Sequence, residues 1–261
     1  MFTRCIYPLA LRERLFGRMN KYLKNKPLEY KDVSLQFNKK LRLDLTPADY
    51  CHRNMIINGF WELIQTEEML KIAKQQGGLL VDVGANYGYY TCLWADAKHE
   101  NRVVAFEASP LNVGPLRNNI EKNGLNNKIK VEPFAAGKEK GKLKFDLRND
   151  EQETGHGGFS LEENKPSLVE VDVITLDEYA AQNDIEKIEV LKIDTEGADT
   201  WVLYGAKELL KAHKINHIFF ESNNSVNNLN ILPNEAKDFL EDLGYKVVPM
   251  GIGDSYATIV Y

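Results

Sequence analysis

The chain has 261 residues, of which 43% are hydrophobic and 27% charged, and its formal net charge is -5. This length suffices for one substantial α/β core, and the composition is that of an ordinary soluble globular protein. Since no stretch approaches the roughly 18 consecutive apolar residues of a membrane span, the sequence excludes a membrane-spanning helix.

The charges and cysteines narrow the classes of partner. Residues 1–26 carry seven Lys and Arg and one Glu, a net charge of +6, so the remaining chain carries -11. An acidic body is a poor match for a phosphate backbone, so we do not expect nucleic acid as a substrate.

The three cysteines, Cys5, Cys51 and Cys92, are far apart and odd in number. They predict a reducing, cytoplasmic location without disulfides or a zinc site, and we expect no secretory signal.

The N-terminal segment predicts a basic amphipathic helix over residues 9–23, where apolar residues recur at helical spacing among Arg and Lys. Two interpretations remain open for residues 1–26. The helix could contact a membrane surface or a partner. Alternatively, it could cap the sheet or pack on a second subunit in a homodimer with its charges in water. The capping interpretation is favoured.

Two further elements precede the main domain. Alternating apolar residues over 33–45 predict a β-hairpin that turns near Asn38 and Lys39. Thr46 and the following proline predict a helix start with Thr46 as the N-cap residue. We therefore expect residues 1–59 to form a helical and hairpin extension, and residues 60–261 to form the main domain.

The central feature of the chain is an apolar strand that leads into a glycine-containing turn. Residues 79–83 suit a strand covered on both faces of a parallel sheet. Gly84 and Gly88 let the backbone approach a ligand, and a helix over residues 89–97 follows. A dinucleotide site needs glycines at the first, third and sixth positions, whereas Asn86 is third here. The spacing favours a nucleoside ligand without a pyrophosphate, such as S-adenosylmethionine (SAM).

The rest of the chain alternates between strands and helices. Strands are predicted over residues 102–107, 129–134, 141–147, 169–173, 188–194, 217–221, 245–249 and 256–261, and helices over 66–74, 110–123, 176–182, 201–210 and 233–243. This alternation predicts an α/β fold with right-handed parallel crossovers and an antiparallel C-terminal hairpin. Residues 148–167 are polar and glycine-rich, which predicts a long functional or mobile loop.

Carboxylates stand at the ends of the predicted strands. Asp82, Glu107, Asp194 and Glu221 each stand at the end of one of the five main strands, and Ala135 follows the third of them, over residues 129–134. Open α/β sheets bind ligands at this edge. The acid at the end of the second strand is the one expected to accept two hydrogen bonds from the ribose hydroxyls of a nucleoside.

These motifs carry a family resemblance. Residues 81–88, the Phe106-Glu107-Ala108 strand end, the Lys192-Ile193-Asp194-Thr195-Glu196-Gly197-Ala198 motif and Gly205-Ala206 resemble the motifs of FkbM-type methyltransferases. The similarity covers about residues 60–221. It implies the Rossmann-like class I methyltransferase fold, with a seven-stranded mostly parallel sheet and helices on both faces. The implied activity is SAM-dependent O-methylation of a hydroxyl on a sugar or another small metabolite. The family's second strand usually ends in Glu-Pro, and Ala108 replaces a proline that only stiffens that turn.

The resemblance also implies which residues bind the cofactor. These are Asp82, Gly84, Ala85, Asn86, Tyr87 and Gly88 around the methionine portion, Glu107 at the ribose, Ala135 and Ala136 near the adenine, and additionally Glu62, Ala108 and Asp194. The amide of Asn86 is expected to face the cofactor or to pin the turn. Tyr87, Tyr89 and Tyr90 could face the sulfonium, but packing in the core is favoured.

Methyl transfer to oxygen needs a group that takes the proton of the acceptor. The candidate bases are Asp194, Glu196, Glu221 and His156. Glu196 and His156 also have simpler interpretations than a catalytic role. Glu196 could cap the helix that follows Gly197, and His156 could be an exposed loop residue. Asp194 and Glu221 could hold a divalent metal, but the sequence has no ligand cluster that demands one, and we predict none.

Two rival functions have different signatures. A cofactor-binding scaffold that has lost catalysis would keep the glycine turn and Glu107 but methylate nothing. A nicotinamide-dependent dehydrogenase would bind NAD, and the glycine spacing disfavours it.

Overall fold

The computed structural model describes residues 9–24, 29–147, 157–160, 164–221, 229–251 and 253–259. The helices are α1 (Leu9–Lys24), α2 (Tyr50–Asn58), α3 (Leu63–Gln75), α4 (Tyr89–Ala97), α5 (Pro110–Lys122), α6 (Leu176–Gln182), α7 (Asp199–Tyr204), α8 (Lys207–Lys211) and α9 (Glu235–Asp242). The strands are β1 (Tyr30–Ser34), β2 (Arg42–Leu45), β3 (Leu79–Val83), β4 (Arg102–Phe106), β5 (Ile129–Glu132), β6 (Ala135–Ala136), β7 (Gly141–Asp146), β8 (Gly158–Phe159), β9 (Leu168–Ile174), β10 (Ile188–Ile193), β11 (Ile215–Glu221), β12 (Tyr245–Pro249) and β13 (Asp254–Ile259).

Seven strands form the central sheet in the order β12-β13-β11-β10-β3-β4-β5. The five strands from β11 to β5 are parallel neighbours, and β13 runs antiparallel between β11 and β12. The predicted Rossmann-like sheet with an antiparallel C-terminal hairpin is therefore confirmed. The carboxyl ends of β3, β4 and β10 meet at one edge, where such sheets bind ligands.

Alternate side chains of the strands enter two hydrophobic clusters, one on each face of the sheet. On β3, Leu80 packs with α3, α4 and α5, whereas Val81 and Val83 pack with α6 to α9. β4 alternates in the same way, since Val103 belongs to the first cluster and Val104 to the second. Both faces are thus covered, which explains why the strands are nearly continuous apolar runs.

A second, four-stranded sheet in the order β6-β9-β7-β8 follows β5. The sequence predicted β7 and β9 but placed residues 157–160 in a loop. That expectation is wrong at Gly158–Phe159, which pairs with the end of β7 so that Phe159 stands opposite Phe145. Two residues are too few for an alternating pattern to predict a strand. Residues 148–156 and 161–163 of the predicted loop lie outside the described part of the chain.

The N-terminal extension packs on the main domain. β1 and β2 form the predicted antiparallel hairpin, and their buried Leu35, Leu43 and Leu45 belong to the same cluster as Leu80 of β3. On α1, Leu23 is buried against this cluster, which favours the capping interpretation of the helix. Among the described residues, no helix is both long enough and apolar enough to cross a bilayer.

Two predicted helix boundaries are wrong. The helix after the hairpin begins at Tyr50, and its N-cap is Asp49, whose side chain accepts a hydrogen bond from the His52 amide. The side chain of Asp49 thus accepts from a backbone N–H of the first helical turn, which is the role predicted for Thr46. The helix predicted over residues 201–210 is interrupted at Gly205. A Cβ on Gly205 would lie 2.0 Å from the carbonyl oxygen of Gly137, so this close approach requires glycine.

Candidate active site

A cavity of about 610 Å³ lies at the carboxyl edge of the central sheet and opens to solvent. Its walls come from the turn after β3, the end of β4, the segment around β6, and the start of the loop after β10. It is lined by Val83, Gly84, Asn86, Phe106, Glu107, Ala108, Ser109, Asn112, Phe134, Ala135, Ala136, Phe145, Gly157, Phe159, Asp194 and Thr195. Seven of the predicted site residues are among them, namely Gly84, Asn86, Glu107, Ala108, Ala135, Ala136 and Asp194.

The turn after β3 touches the end of β10. Gly84 has a φ of 82°, and a Cβ there would lie 1.9 Å from the carbonyl oxygen of Asp194. Any other residue would therefore push the two strand ends apart. This contact places the glycine turn and Asp194 side by side at the cavity.

Asn86 occupies the position where a dinucleotide site would have glycine. Its φ of 50° lies in the left-handed region, which Asn tolerates better than most residues. Its Oδ1 accepts a hydrogen bond from the backbone N–H of Tyr87 at 2.6 Å. The side chain therefore pins the turn, as one of the two sequence expectations proposed, while Asn86 also lines the cavity.

Glu107 follows the last residue of β4 and is 5% exposed. Its Oε2 accepts the backbone N–H of Asn86 at 2.7 Å, and its Oε1 accepts the backbone N–H of Ser109 at 2.9 Å. Burial raises the pKa of the Glu107 carboxyl to about 7, although these donors oppose the rise. Nδ2 of Asn112 also donates to Oε1, at a longer 3.5 Å, and a carboxylate has about four acceptor positions in all. The ionised group can therefore bind a vicinal diol while it holds the turn.

Part of the cavity lining is apolar and partly aromatic. It comprises Ala108, Ala135 and Ala136, together with Phe145 and Phe159 from the second sheet. The two phenylalanine rings are edge to face, with centroids 6.3 Å apart. Sequence reasoning missed both, although the strand pattern over residues 141–147 already contained Phe145. Their position depends on the β7–β8 pairing, which brings distant residues together.

A buried lysine organises the end of β10. The Nζ of Lys192 lies 3.1 Å from Oδ2 of Asp194, 3.6 Å from Oδ1 of Asp82 and 3.3 Å from the carbonyl oxygen of Gly84. Burial lowers the pKa of the lysine, but the carboxylates of Asp194 and Asp82 outweigh it and raise that pKa well above its usual value. Lys192 therefore remains a cation and fixes Asp194 at the edge of the cavity.

Several predicted cofactor residues support the turn without lining the cavity. Asp82 is buried and accepts a hydrogen bond from the hydroxyl of Thr91 at 2.6 Å. Ala85, Tyr87 and Gly88 also lie outside the lining. Tyr87, Tyr89 and Tyr90 are all buried, as the packing interpretation predicts.

Glu62 lies near the carboxylate of Asp194 rather than in the cavity wall. The hydroxyl of Tyr90 donates to its Oε2 at 2.7 Å. Burial, and secondarily the charge of Asp194, raises the pKa of the Glu62 carboxyl to about 7.

Neither of the other described candidate bases is among the residues that line this cavity. Glu221 lines a separate cavity of about 360 Å³ between β11 and α9, and burial and the charge of Asp194 raise its carboxyl pKa to about 9. Glu196 is partly buried. Since α7 begins at Asp199 with Ala198 as N-cap, Glu196 is not the N-cap residue that the simpler alternative expected. His156 lies outside the described residues.

Asp199 is a residue that sequence reasoning missed. It is buried, and its Oδ1 accepts the backbone N–H of Thr195 at 3.1 Å while its Oδ2 accepts that of Glu221 at 2.8 Å. Asp199 thus joins the ends of β10 and β11. Burial raises the pKa of its carboxyl to about 6. Its place after the Asp194 motif was a signal that could have identified it.

The cavity fits a nucleoside cofactor. A buried carboxylate suited to a diol and a group of apolar side chains suited to a flat heterocycle line the same cavity. The glycine turn lets a ligand approach the backbone closely. Its third position is Asn86 rather than the glycine of a dinucleotide site, so a ligand without a pyrophosphate is favoured. Within the described parts of the chain, no cluster of three or more His, Cys, Asp or Glu side chains is arranged to hold a metal ion.

A family profile matches most of the main domain, and two solved structures resemble the chain. The profile of the methyltransferase FkbM domain matches residues 82–247. Among solved structures, the chain is similar to a SAM-dependent methyltransferase from Agrobacterium tumefaciens, with 10% identity over 89% of this chain and 71% of that chain and a TM-score of 0.49. It is also similar to an O-methyltransferase from Bacillus cereus in complex with SAH, with 14% identity, coverages of 76% and 80% and a TM-score of 0.40. A search of curated protein sequences found no match.

The seven-stranded Rossmann-like sheet and the domain profile define a methyltransferase that uses SAM. The domain profile covers more than half of the sequence. The chain belongs to the FkbM methyltransferase family.

Proposed function

We propose that the protein transfers the methyl group of SAM to a hydroxyl oxygen of a sugar or another small hydroxylated metabolite. The observation that carries this proposal is the position of Asp194. Its carboxylate lines the cavity next to the glycine turn and is held there by Lys192 at 3.1 Å. A fixed carboxylate at this place can orient a hydroxyl and accept its proton.

The cofactor residues proposed from the sequence divide into two groups. Glu107 would bind the ribose hydroxyls, Ala108, Ala135 and Ala136 would contact the adenine, and Gly84 and Asn86 would face the methionine portion. Asp82, Ala85, Tyr87, Gly88 and Glu62 would act by supporting the turn and Asp194. When bound, SAM supplies a methyl group attached to a positively charged sulfur.

The protein's own part of the reaction is to align and deprotonate the acceptor. The ion pair with Lys192 uses Oδ2 of Asp194, so we assign the acceptor's proton to Oδ1. Glu221 would keep its own proton at neutral pH because its carboxyl pKa is about 9. Because it also lines the separate cavity between β11 and α9, we do not assign it the role of base. Glu196 and His156 remain candidates for further contacts with the acceptor.

The charges around Asp194 support a neutral acceptor. The carboxyl groups of Glu62, Glu221 and Asp254 all interact electrostatically with Asp194. In their ionised forms Asp194, Glu62 and Asp254 would repel a phosphorylated or nucleic-acid acceptor at close range, whereas the protonated Glu221 adds no charge. The carboxyl groups could instead form many hydrogen bonds with the hydroxyls of a polyhydroxylated small molecule. The cysteine content favours an acceptor in the cytoplasm.

Replacement of Asp194 tests the proposed chemistry. With methyl-labelled SAM and a panel of sugars and small hydroxylated metabolites, Asp194→Asn should lower kcat by about 10²- to 10⁴-fold. Its affinity for S-adenosylhomocysteine (SAH) should change by less than about threefold. The matched control is Asp172→Asn, whose side chain is 72% exposed on β9, and it should retain wild-type turnover.

Two outcomes would contradict the proposal. If Asp194→Asn keeps the wild-type kcat, Asp194 is not the base. If the wild-type protein binds SAH but methylates no hydroxyl in the panel, the scaffold alternative gains and O-methylation is overturned.

A further inference from the structure

The N-terminal extension reaches the cofactor turn through one buried histidine. His52 of α2 is fully buried, and its Nε2 lies 3.0 Å from Oδ1 of Asn86. Its ring also packs against Tyr87, with the two ring centroids 4.3 Å apart. His52 precedes the segment that matches the family, which begins at residue 82. The contact therefore joins a segment outside the family match to the turn that lines the cavity.

The partners of His52 define its tautomer. Its Nδ1 lies 3.4 Å from the backbone nitrogen of Thr46, which can only donate. Nδ1 is therefore the acceptor, and Nε2 carries the hydrogen that His52 donates to Asn86. The ring is neutral in this arrangement, since a proton on Nδ1 would leave the Thr46 N–H without its acceptor.

The hydrogen bond from His52 continues to the diol-binding acid. Oδ1 of Asn86 accepts from both His52 and the backbone N–H of Tyr87, and the backbone N–H of Asn86 donates to Glu107 at 2.7 Å. A residue with positive φ, such as Asn86, keeps that conformation only where its surroundings determine it. The hydrogen bond from His52 is one of the contacts that determine it.

The hairpin reaches the next residue of the turn through α5. Nδ2 of Asn119 on α5 donates to the carbonyl oxygen of Tyr87 at 2.9 Å and to that of Asp44 on β2 at 3.2 Å. The side chain of Asn86 is therefore contacted directly by α2, and the carbonyl group of Tyr87 is linked to the hairpin through Asn119.

We propose that His52 is a positioning residue of the cofactor site, which acts through Asn86 and orients the turn toward Glu107. This inference rests on the cofactor site that Proposed function uses, but it does not depend on the methyl acceptor. Loss of the donor should let Asn86 leave its conformation and should weaken binding of a nucleoside ligand. If His52 had only a structural role, its replacement would lower the free energy of unfolding but leave the affinity of the folded protein for a nucleoside ligand unchanged.

A double-mutant cycle separates these roles with SAH as the probe. His52→Leu removes the donor at similar volume, and His52→Gln restores a side-chain N–H at a similar reach. Asn86→Gly removes the acceptor but keeps the left-handed conformation accessible. We expect His52→Leu to raise the Kd of SAH about tenfold and His52→Gln to recover most of the affinity. In the Asn86→Gly background, His52→Leu should change the Kd by less than about twofold.

The opposite results overturn the proposal. His52 is not a positioning residue if His52→Leu binds SAH as tightly as wild type, or if its loss is the same in both backgrounds. If His52→Leu does not fold, nitrogen NMR of the wild-type histidines decides, because the proposal requires the Nε2-protonated tautomer and an Nδ1-protonated His52 contradicts it. Failure of the wild-type protein to bind SAH would instead contradict the cofactor assignment itself.

Discussion

At the scale of single residues, the site depends on close backbone contacts that few side chains permit. Gly84 is the clearest case, because the carbonyl oxygen of Asp194 occupies the space that a Cβ would need. Asn86 is a second case, since its amide stabilises a left-handed conformation that also directs its N–H to Glu107. Contacts within the protein therefore determine the shape of the turn and the position of the Glu107 carboxylate.

Gly84→Ala should therefore be strongly destabilising. Strain at positive φ and the clash with Asp194 together should lower the free energy of unfolding by about 3 kcal/mol or more. The matched control is Gly124→Ala, where φ is 66° but nothing lies within 4 Å of the added Cβ. Only the strain of about 1 kcal/mol applies there. Urea unfolding of both variants makes the comparison, and equal losses would show that the contact with Asp194 does not matter.

The sequence predicted much of this residue-scale picture, but only where the signal was local. The strand at residues 79–83, the turn with Gly84 and Gly88, and Glu107 after the second strand followed from periodicity and spacing. Phe145, Phe159 and Asp199 did not, because their positions depend on pairings between distant segments. The spacing also could not tell that Asp82 turns toward Lys192 and Thr91 instead of the cavity.

At the scale of elements, α5 is the link between the hairpin and the central domain. Asn119 and Asn123 lie one turn apart and bond the backbone of β2 at Asp44 and Arg42. Side-chain amides suit this role because each can donate and accept at the same time. The edge of β2 is thereby paired by a helix rather than left open.

Asn119→Ala should be the more costly of two matched replacements on α5. Each of the two amides bonds three backbone groups. Asn119 is fully buried whereas Asn123 is partly exposed, so water can replace fewer of the hydrogen bonds that Asn119 makes. We expect Asn119→Ala to lower the free energy of unfolding by about 2 to 3 kcal/mol and Asn123→Ala by about 1 kcal/mol. Urea denaturation with an unchanged m value would measure the difference. A larger loss for Asn123→Ala would contradict this order.

At the scale of the whole molecule, the extension and the main domain share one core. The buried leucines of the hairpin belong to the same cluster as β3, α3 and α4. The sequence divided the chain near residue 59, because the hairpin and its helix precede the regular alternation. Its patterns identified those elements but could not show which face of the sheet they cover. The structure places them on the face that carries Asp82 and Lys192, beneath the cofactor turn.

Titration of SAH into the protein tests the central claim most directly. We predict one-to-one binding whose affinity rises between pH 6 and pH 8, because the Glu107 carboxyl has a pKa of about 7 and only its ionised form accepts from both ribose hydroxyls. Glu107→Gln should bind about tenfold more weakly or worse at pH 8 and lose this pH dependence. Glu132→Gln, at the buried end of β5 outside the cavity, should behave as wild type. Absence of SAH binding, or wild-type affinity of Glu107→Gln at both pH values, would contradict the account.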